Sequence, residues 1–112
     1  MVTIYHNPRC SKSRACLQLL QEICDNVVVV DYLRQPFTLE HLRCFAEQLG
    51  LHAIVRNNEA IYKELGLAKA NDKTVLNAIL KYPQLLQRPL VVQGERMLIA
   101  RPPEKILEFI NG

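Results

Sequence analysis

The stretch Val2-Thr3-Ile4-Tyr5-His6-Asn7-Pro8-Arg9-Cys10-Ser11-Lys12-Ser13-Arg14 decides how the rest of the chain is read. Val2–His6 is rich in β-branched and aromatic residues, which predicts a first strand. Asn7-Pro8-Arg9 breaks it. A helix is expected to begin near Cys10 or Ser11 and to run to about Cys24, because Cys16, Leu17, Leu20, Ile23 and Cys24 recur at three- and four-residue steps. Val27-Val28-Val29-Val30 follows as a continuous apolar run, the pattern of a strand buried on both faces of a parallel sheet. The opening third is therefore a βαβ unit, whose crossover should be right-handed.

Beyond that unit, Thr38 suits an N-cap and Gly50 a stop, so a second helix is expected between them with Leu39, Leu42, Ala46 and Leu49 on its inner stripe. Asn58 to Leu65 can form a short helix closed by Gly66, and Asn71 or Asp72 can cap another that runs to about Tyr82. Leu90-Val91-Val92 reads as a strand, Gly94-Glu95 as a tight turn, and Met97-Leu98-Ile99-Ala100 as the returning strand. Pro102 or Pro103 would sit in the first turn of a last helix ending near Ile110. The order β-α-β, helices, β-β-α implies an α/β chain with a thioredoxin-like three-layer core, a mixed four-stranded sheet, and a helical insertion after the second strand.

A chain of 112 residues suits one domain, 1–112, with the insertion at about 38–82. Hydrophobic residues make up 49%, enough for a core without cross-links. The formal charge of +3 is weak evidence for nucleic acid, whose binders usually present a clustered basic face, and it suits an anionic small molecule as well. Met1–His6 lacks the basic-then-apolar order of a secretion signal, and no apolar run approaches the ~20 residues that span a membrane. A cytoplasmic protein is expected, without membrane or nucleic-acid partners. Cysteines at 10, 16, 24 and 44 match no zinc spacing, and His6, His41 and His52 are scattered, so neither a metal site nor a disulfide framework is expected.

Chemistry is expected at the end of the first strand, since ligands of open α/β sheets bind beyond the carboxyl ends of strands. Cys10 would stand at a helix N-terminus, where free N–H groups and the macrodipole favour thiolate over thiol. Arg9, Lys12 and Arg14 add positive charge. Cys10 is either a reactive thiolate or an inert opener of a core helix; its position favours the first. Cys16 and Cys24 lie on the apolar stripe and should be inert, and Cys44 falls off its stripe. Ser13 occupies the place where two-thiol redox motifs carry a second cysteine, so disulfide chemistry at Cys10 would need an external thiol. Ser13 itself is either a first-turn hydroxyl capping N–H groups or a contact to the reacting groups. A C-x5-R anion loop is excluded, because Cys16 stands where it needs arginine.

With Cys10, Ser13 and Arg14 in place, Ile4 to Arg14 resembles the signature of the arsenate reductase family that uses glutathione and glutaredoxin. Val55-Arg56-Asn57-Asn58 with Tyr62-Lys63-Glu64-Leu65-Gly66-Leu67 resembles that family's arginine-bearing insertion, and Gln87-Arg88-Pro89-Leu90-Val91-Val92 and Ala100-Arg101-Pro102 resemble its two R-P motifs. The resemblance spans most of the chain in order. It implies that Cys10 attacks arsenate, that Arg56, Arg88 and Arg101 bind the oxyanion together with Ser11, Lys12 and Ser13, that His6 and Ser13 tune the thiolate, and that Pro89 is the cis-proline of the fold. It implies no bound cofactor, glutathione as co-substrate, arsenate or a similar oxyanion as substrate, glutaredoxin as partner, and a monomer. Longer family members continue past the last helix, a continuation on which the core site should not depend. Two other functions stay open: a glutathione-linked thiol reductase with another substrate, and a regulator resembling the Spx type, whose C-x-x-C switch Ser13 interrupts.

Overall fold

The computed structural model describes residues 1–35 and 37–111; Pro36 and Gly112, which the single-domain expectation includes, lie outside the described residues. The chain divides into two compact units, Met1–Gln35 with Arg88–Gly112, and Pro36–Gln87. The second is the insertion, somewhat longer than the 38–82 expected.

The first unit contains β1 (Val2–His6), α1 (Ser11–Ile23), β2 (Val27–Asp31), β3 (Leu90–Gln93), β4 (Arg96–Ile99) and α6 (Lys105–Asn111). Its four strands form one mixed sheet in the order β2-β1-β3-β4, with β1 parallel to β2 and antiparallel to β3, and β3 antiparallel to β4. This is the thioredoxin-like α/β arrangement. Gly94 turns the β3–β4 hairpin at φ 61°, a conformation that favours residues without a Cβ. The core joins Val2 and Ile4 of β1 and Val91 of β3 to Cys16 and Leu20 of α1 and Ile106 and Phe109 of α6. Side chains alternate along a strand, so the parity that buries Val2 and Ile4 also buries His6 on that face.

Two expectations for this unit need correction. The valine run of β2 is not buried on both faces: β2 is an edge strand, and Val28 and Val29 are each 41% exposed. Pro102 and Pro103 lie before α6 rather than in its first turn; they accept lead-in bonds from the Lys105 and Ile106 N–H groups.

The second unit contains α2 (Leu39–Leu49), α3 (Leu51–Ile54), α4 (Ala60–Glu64) and α5 (Asp72–Lys81), with short 3₁₀ turns at Leu67–Lys69 and Pro83–Leu85. Thr38 caps α2 with a complete capping box: its Oγ1 accepts the His41 N–H at 3.2 Å and its own N–H donates to His41 Nδ1 at 3.2 Å. Gly50 ends the helix at φ 90°. The buried residues of α2 are Leu42 and Phe45; Leu39, Ala46 and Leu49 are only half-buried. The helix α3 was not expected, and α4 is shorter than the 58–65 expected. Asn71 caps α5 by accepting the Thr74 N–H at 2.8 Å. Among the described residues, no helix is long and apolar enough to cross a membrane.

Candidate active site

The loop between β1 and α1 is held by side chains that have left water. Asn7 is 6% exposed and Ser13 fully buried. The Asn7 N–H donates to Ser13 Oγ at 3.1 Å, and Asn7 Oδ1 accepts the Arg9 N–H at 2.9 Å. His6 Nδ1 lies 2.7 Å from the same Ser13 Oγ. The last residue of β1, the loop and the first turn of α1 are thus joined through one hydroxyl. Buried polar groups that are satisfied in this way make a loop stiff. The Cys10 N–H donates to the Asn7 carbonyl at 3.0 Å, and the Cys10 carbonyl accepts the Arg14 N–H at 3.0 Å. Cys10 is therefore the N-cap of α1, with extended backbone at φ −96° and ψ 121°.

Arg88 reaches this place through strand register. Tyr5 pairs with Leu90 across the antiparallel β1–β3 ladder, so the residues just before β3 meet the loop just after β1. Leu90 also pairs with Ile99, which sets Arg101 opposite Arg88 on the other side of β3. Arg101 Nη1 donates to the Arg88 carbonyl at 2.9 Å, and the Ala100 N–H to the Pro89 carbonyl at 3.0 Å. The Arg88–Pro89 and Arg101–Pro102 peptide bonds are both cis.

These groups change the Cys10 thiol. Burial pushes it up, but the Ser13 N–H, the Arg88 guanidinium and the Lys12 N–H outweigh that and hold it below its ordinary value. Cys16, six residues along the same helix, is the contrast: burial with no such donors pushes it up to about 12. Burial also lowers His6, with Asp31 raising it and Arg14 lowering it, so the ring is mostly neutral near pH 7.

Of the residues expected from sequence, the structure brings His6, Cys10, Ser13 and Arg88 together and ties Arg101 to Arg88. Ser11 and Lys12 have exposed side chains; Lys12 acts on Cys10 through its N–H. Arg14 is exposed and donates from Nη1 to the Pro8 carbonyl at 2.8 Å. Arg56 stands in the second unit, where its Nε donates to Glu59 Oε1 at 3.2 Å and its Nη1 to Gln87 Oε1 at 2.8 Å. Asn7 was missed. In the sequence it reads only as a strand breaker, yet asparagine's habit of bonding the backbone two residues on is a signal for its hold on Arg9. No group of three or more His, Cys, Asp or Glu side chains that could hold a metal ion occurs among the described residues.

The family model described as the ArsC family matches residues 5–109. The chain belongs to the ArsC family. The uncharacterized protein YfgD of Escherichia coli (strain K12) is 41% identical to it over 98% of this chain and 97% of its own length. An arsenate reductase of Neisseria meningitidis serogroup A is 42% identical over 94% of each. The solved structure of an arsenate reductase from Vibrio cholerae superposes with a TM-score of 0.90 at 39% identity, covering 96% of this chain and 95% of that one. The residues 5–109 that place the chain in the ArsC family include every group built around Cys10.

Proposed function

We propose that this protein is an oxidoreductase that reduces arsenate to arsenite at Cys10, with glutathione as co-substrate and glutaredoxin as the recycling partner. It acts as a monomer in the reducing cytoplasm and needs no resident cofactor. The observation that most supports this reading is the Cys10 thiol held low by two backbone N–H groups and the Arg88 guanidinium. A thiolate meets a multiply charged oxyanion only where fixed positive groups offset their repulsion. Guanidinium groups do this well, being permanently charged and able to bond two oxygens at once. Arg88 and Arg101 are assigned the arsenate oxygens, and the N–H groups at the start of α1 assist.

The Cys10 thiolate attacks the As(V) centre; an S–As bond forms and an arsenic hydroxyl leaves with a proton as water. A glutathione thiolate then attacks the Cys10 sulfur. An S–S bond forms, the S–As electron pair passes to arsenic, and As(III) departs as arsenite. A glutaredoxin thiolate attacks the glutathione sulfur of that mixed disulfide and Cys10 leaves as thiolate. Ser13 at the resolving position makes the external thiol necessary. His6 and the Ser13 hydroxyl keep the Ser13 N–H aimed at the sulfur.

Purified protein with glutathione, glutaredoxin, glutathione reductase and NADPH should consume NADPH in proportion to added arsenate, and Cys10→Ser should reduce that to background. Arsenate-independent rates, or full activity in Cys10→Ser, would reject the reading. A second reading, a glutathione-linked thiol reductase with another substrate, draws on the same lone first-turn cysteine beside Ser13. A Cys10–glutathione adduct seen by mass spectrometry with no turnover of arsenate would favour it.

A further inference from the structure

A recess of about 330 Å³ opens beside the Cys10 loop, lined by Pro8, Arg9, Asp31, Leu33 and Arg34. Pro8 and Arg9 are the two residues before Cys10. Asp31 ends β2, and it pairs in register with His6, the residue that ends β1, so both walls stand at the same end of the sheet. The volume lies at the lower end of the roughly 300–1,000 Å³ usual for small-molecule sites. Its charges are mixed: two guanidinium groups and one carboxylate.

That mixture selects among ligands. A second oxyanion would gain from Arg9 and Arg34 but would be repelled by Asp31. A peptide with two carboxylates and one ammonium group would use all three. We propose that this recess binds the reducing thiol peptide, a glutathione-like zwitterion, with Arg9 and Arg34 on its carboxylates and Asp31 on its ammonium group, and so delivers its sulfur to Cys10. The inference rests on the thiol-linked chemistry given above and assigns it a second binding site.

The walls are set for this role. The Arg9 N–H is fixed by Asn7 Oδ1 at 2.9 Å, while the side chain is exposed. Asp31 Oδ1 accepts the Leu33 N–H at 3.1 Å, which holds the carboxylate at the rim. Arg34 Nε is 3.8 Å from Asp31 Oδ2, and its side chain is 88% exposed. Such a loose surface pair contributes little to stability, so a ligand carboxylate draws Arg34 away at small cost. A ligand held by charged hydrogen bonds on a recess next to the nucleophile gains the advantage of proximity.

The test compares thiol donors. Cys10 attacks one sulfur of oxidised glutathione, forming a Cys10–glutathione disulfide and releasing the other glutathione as thiolate; mass spectrometry follows this without arsenate. The wild-type chain should react faster with oxidised glutathione than with hydroxyethyl disulfide. Arg34→Ala should reduce that preference about fivefold and Arg34→Glu further, with the hydroxyethyl disulfide rate unchanged. In the coupled assay Arg34→Ala should raise KM for glutathione and leave KM for arsenate unchanged. An unaltered preference in both variants overturns the proposal, as does a rise in KM for arsenate alone, which would assign the recess to the oxyanion. A chain that forms the Cys10 adduct with the expected preference but does not turn over arsenate would reject arsenate as substrate and leave the recess assigned.

Discussion

The two longest helices begin in opposite ways. A helix start leaves its first N–H groups without intrahelical partners. At α2 the protein satisfies them itself: Thr38 and His41 exchange hydrogen bonds, and Glu40 adds a carboxylate to the first turn. At α1 the N-cap is Cys10, whose side chain makes no capping bond, and the first turn carries no acidic residue. The Lys12 and Ser13 N–H groups act on the Cys10 sulfur instead. One start is closed for stability. The other keeps its positive end for an anion, and its loop is stiffened from behind by Asn7, Ser13 and His6. The comparison teaches that the reactivity of Cys10 comes from donors the helix withholds from capping.

The strongest way to break this contrast is to remove the cation that joins those donors. Arg88→Ala should lower arsenate turnover about a hundredfold, the size of losing one fixed donor at a developing oxyanion. It should also move the pH dependence of Cys10 alkylation. In the wild-type chain the thiolate forms below the ordinary thiol range, so iodoacetamide reacts at lower pH than with a free cysteine. Without Arg88 the alkylation midpoint should rise. An unmoved midpoint would mean that the N–H groups alone hold the sulfur. The sign for stability follows. A thiol lowered in the folded chain contributes stability that is present above the unfolded value and is lost as pH falls through the folded one.

Ser13→Ala comes next. It removes the acceptor of the Asn7 N–H and the partner of His6 Nδ1 at a fully buried position. Two buried polar groups left unsatisfied should cost about 2 kcal/mol, read as a lower urea midpoint with unchanged slope. The Ser13 N–H remains, so the alkylation midpoint should rise less than in Arg88→Ala. A urea midpoint equal to wild type would show that the hydroxyl does not brace the loop.

Local signals were the legible ones. Thr38, Gly50, Asn71 and Gly94 announce caps and turns through their own backbone preferences, and all four act where expected. Cys10 was legible because strand, breaker and helix follow one another within a few residues. Signals that depend on distant neighbours were not. Four valines in β2 carry no mark of their strand lying at the sheet edge, since sheet order is fixed by the β1–β3 pairing of residues far apart in sequence. Phe45 rather than Ala46 fills the buried stripe of α2, a choice made by tertiary packing over periodicity. The approach of Arg88 to Cys10 needs the same β1–β3 register, so only the family resemblance suggested it. Asn7 holds Ser13 through its backbone, which no side-chain pattern reports.

The gentlest perturbation sharpens the contrast from its other side. Thr38→Ala deletes the Oγ1 that accepts the His41 N–H and should cost about 1 kcal/mol, the usual loss for a Thr cap. His41 is an unusual third residue for a capping box, where Glu or Gln is common. Its Nδ1 accepts the residue-38 N–H at 3.2 Å, a bond to the backbone that the substitution leaves in place. The loss should therefore be incomplete. If the two helix starts serve different ends, Thr38→Ala shifts the urea midpoint and leaves the alkylation profile of Cys10 where it was. A shift in that profile equal to the one in Ser13→Ala would join the cap of α2 to the reactivity of the thiol and remove the distinction between them.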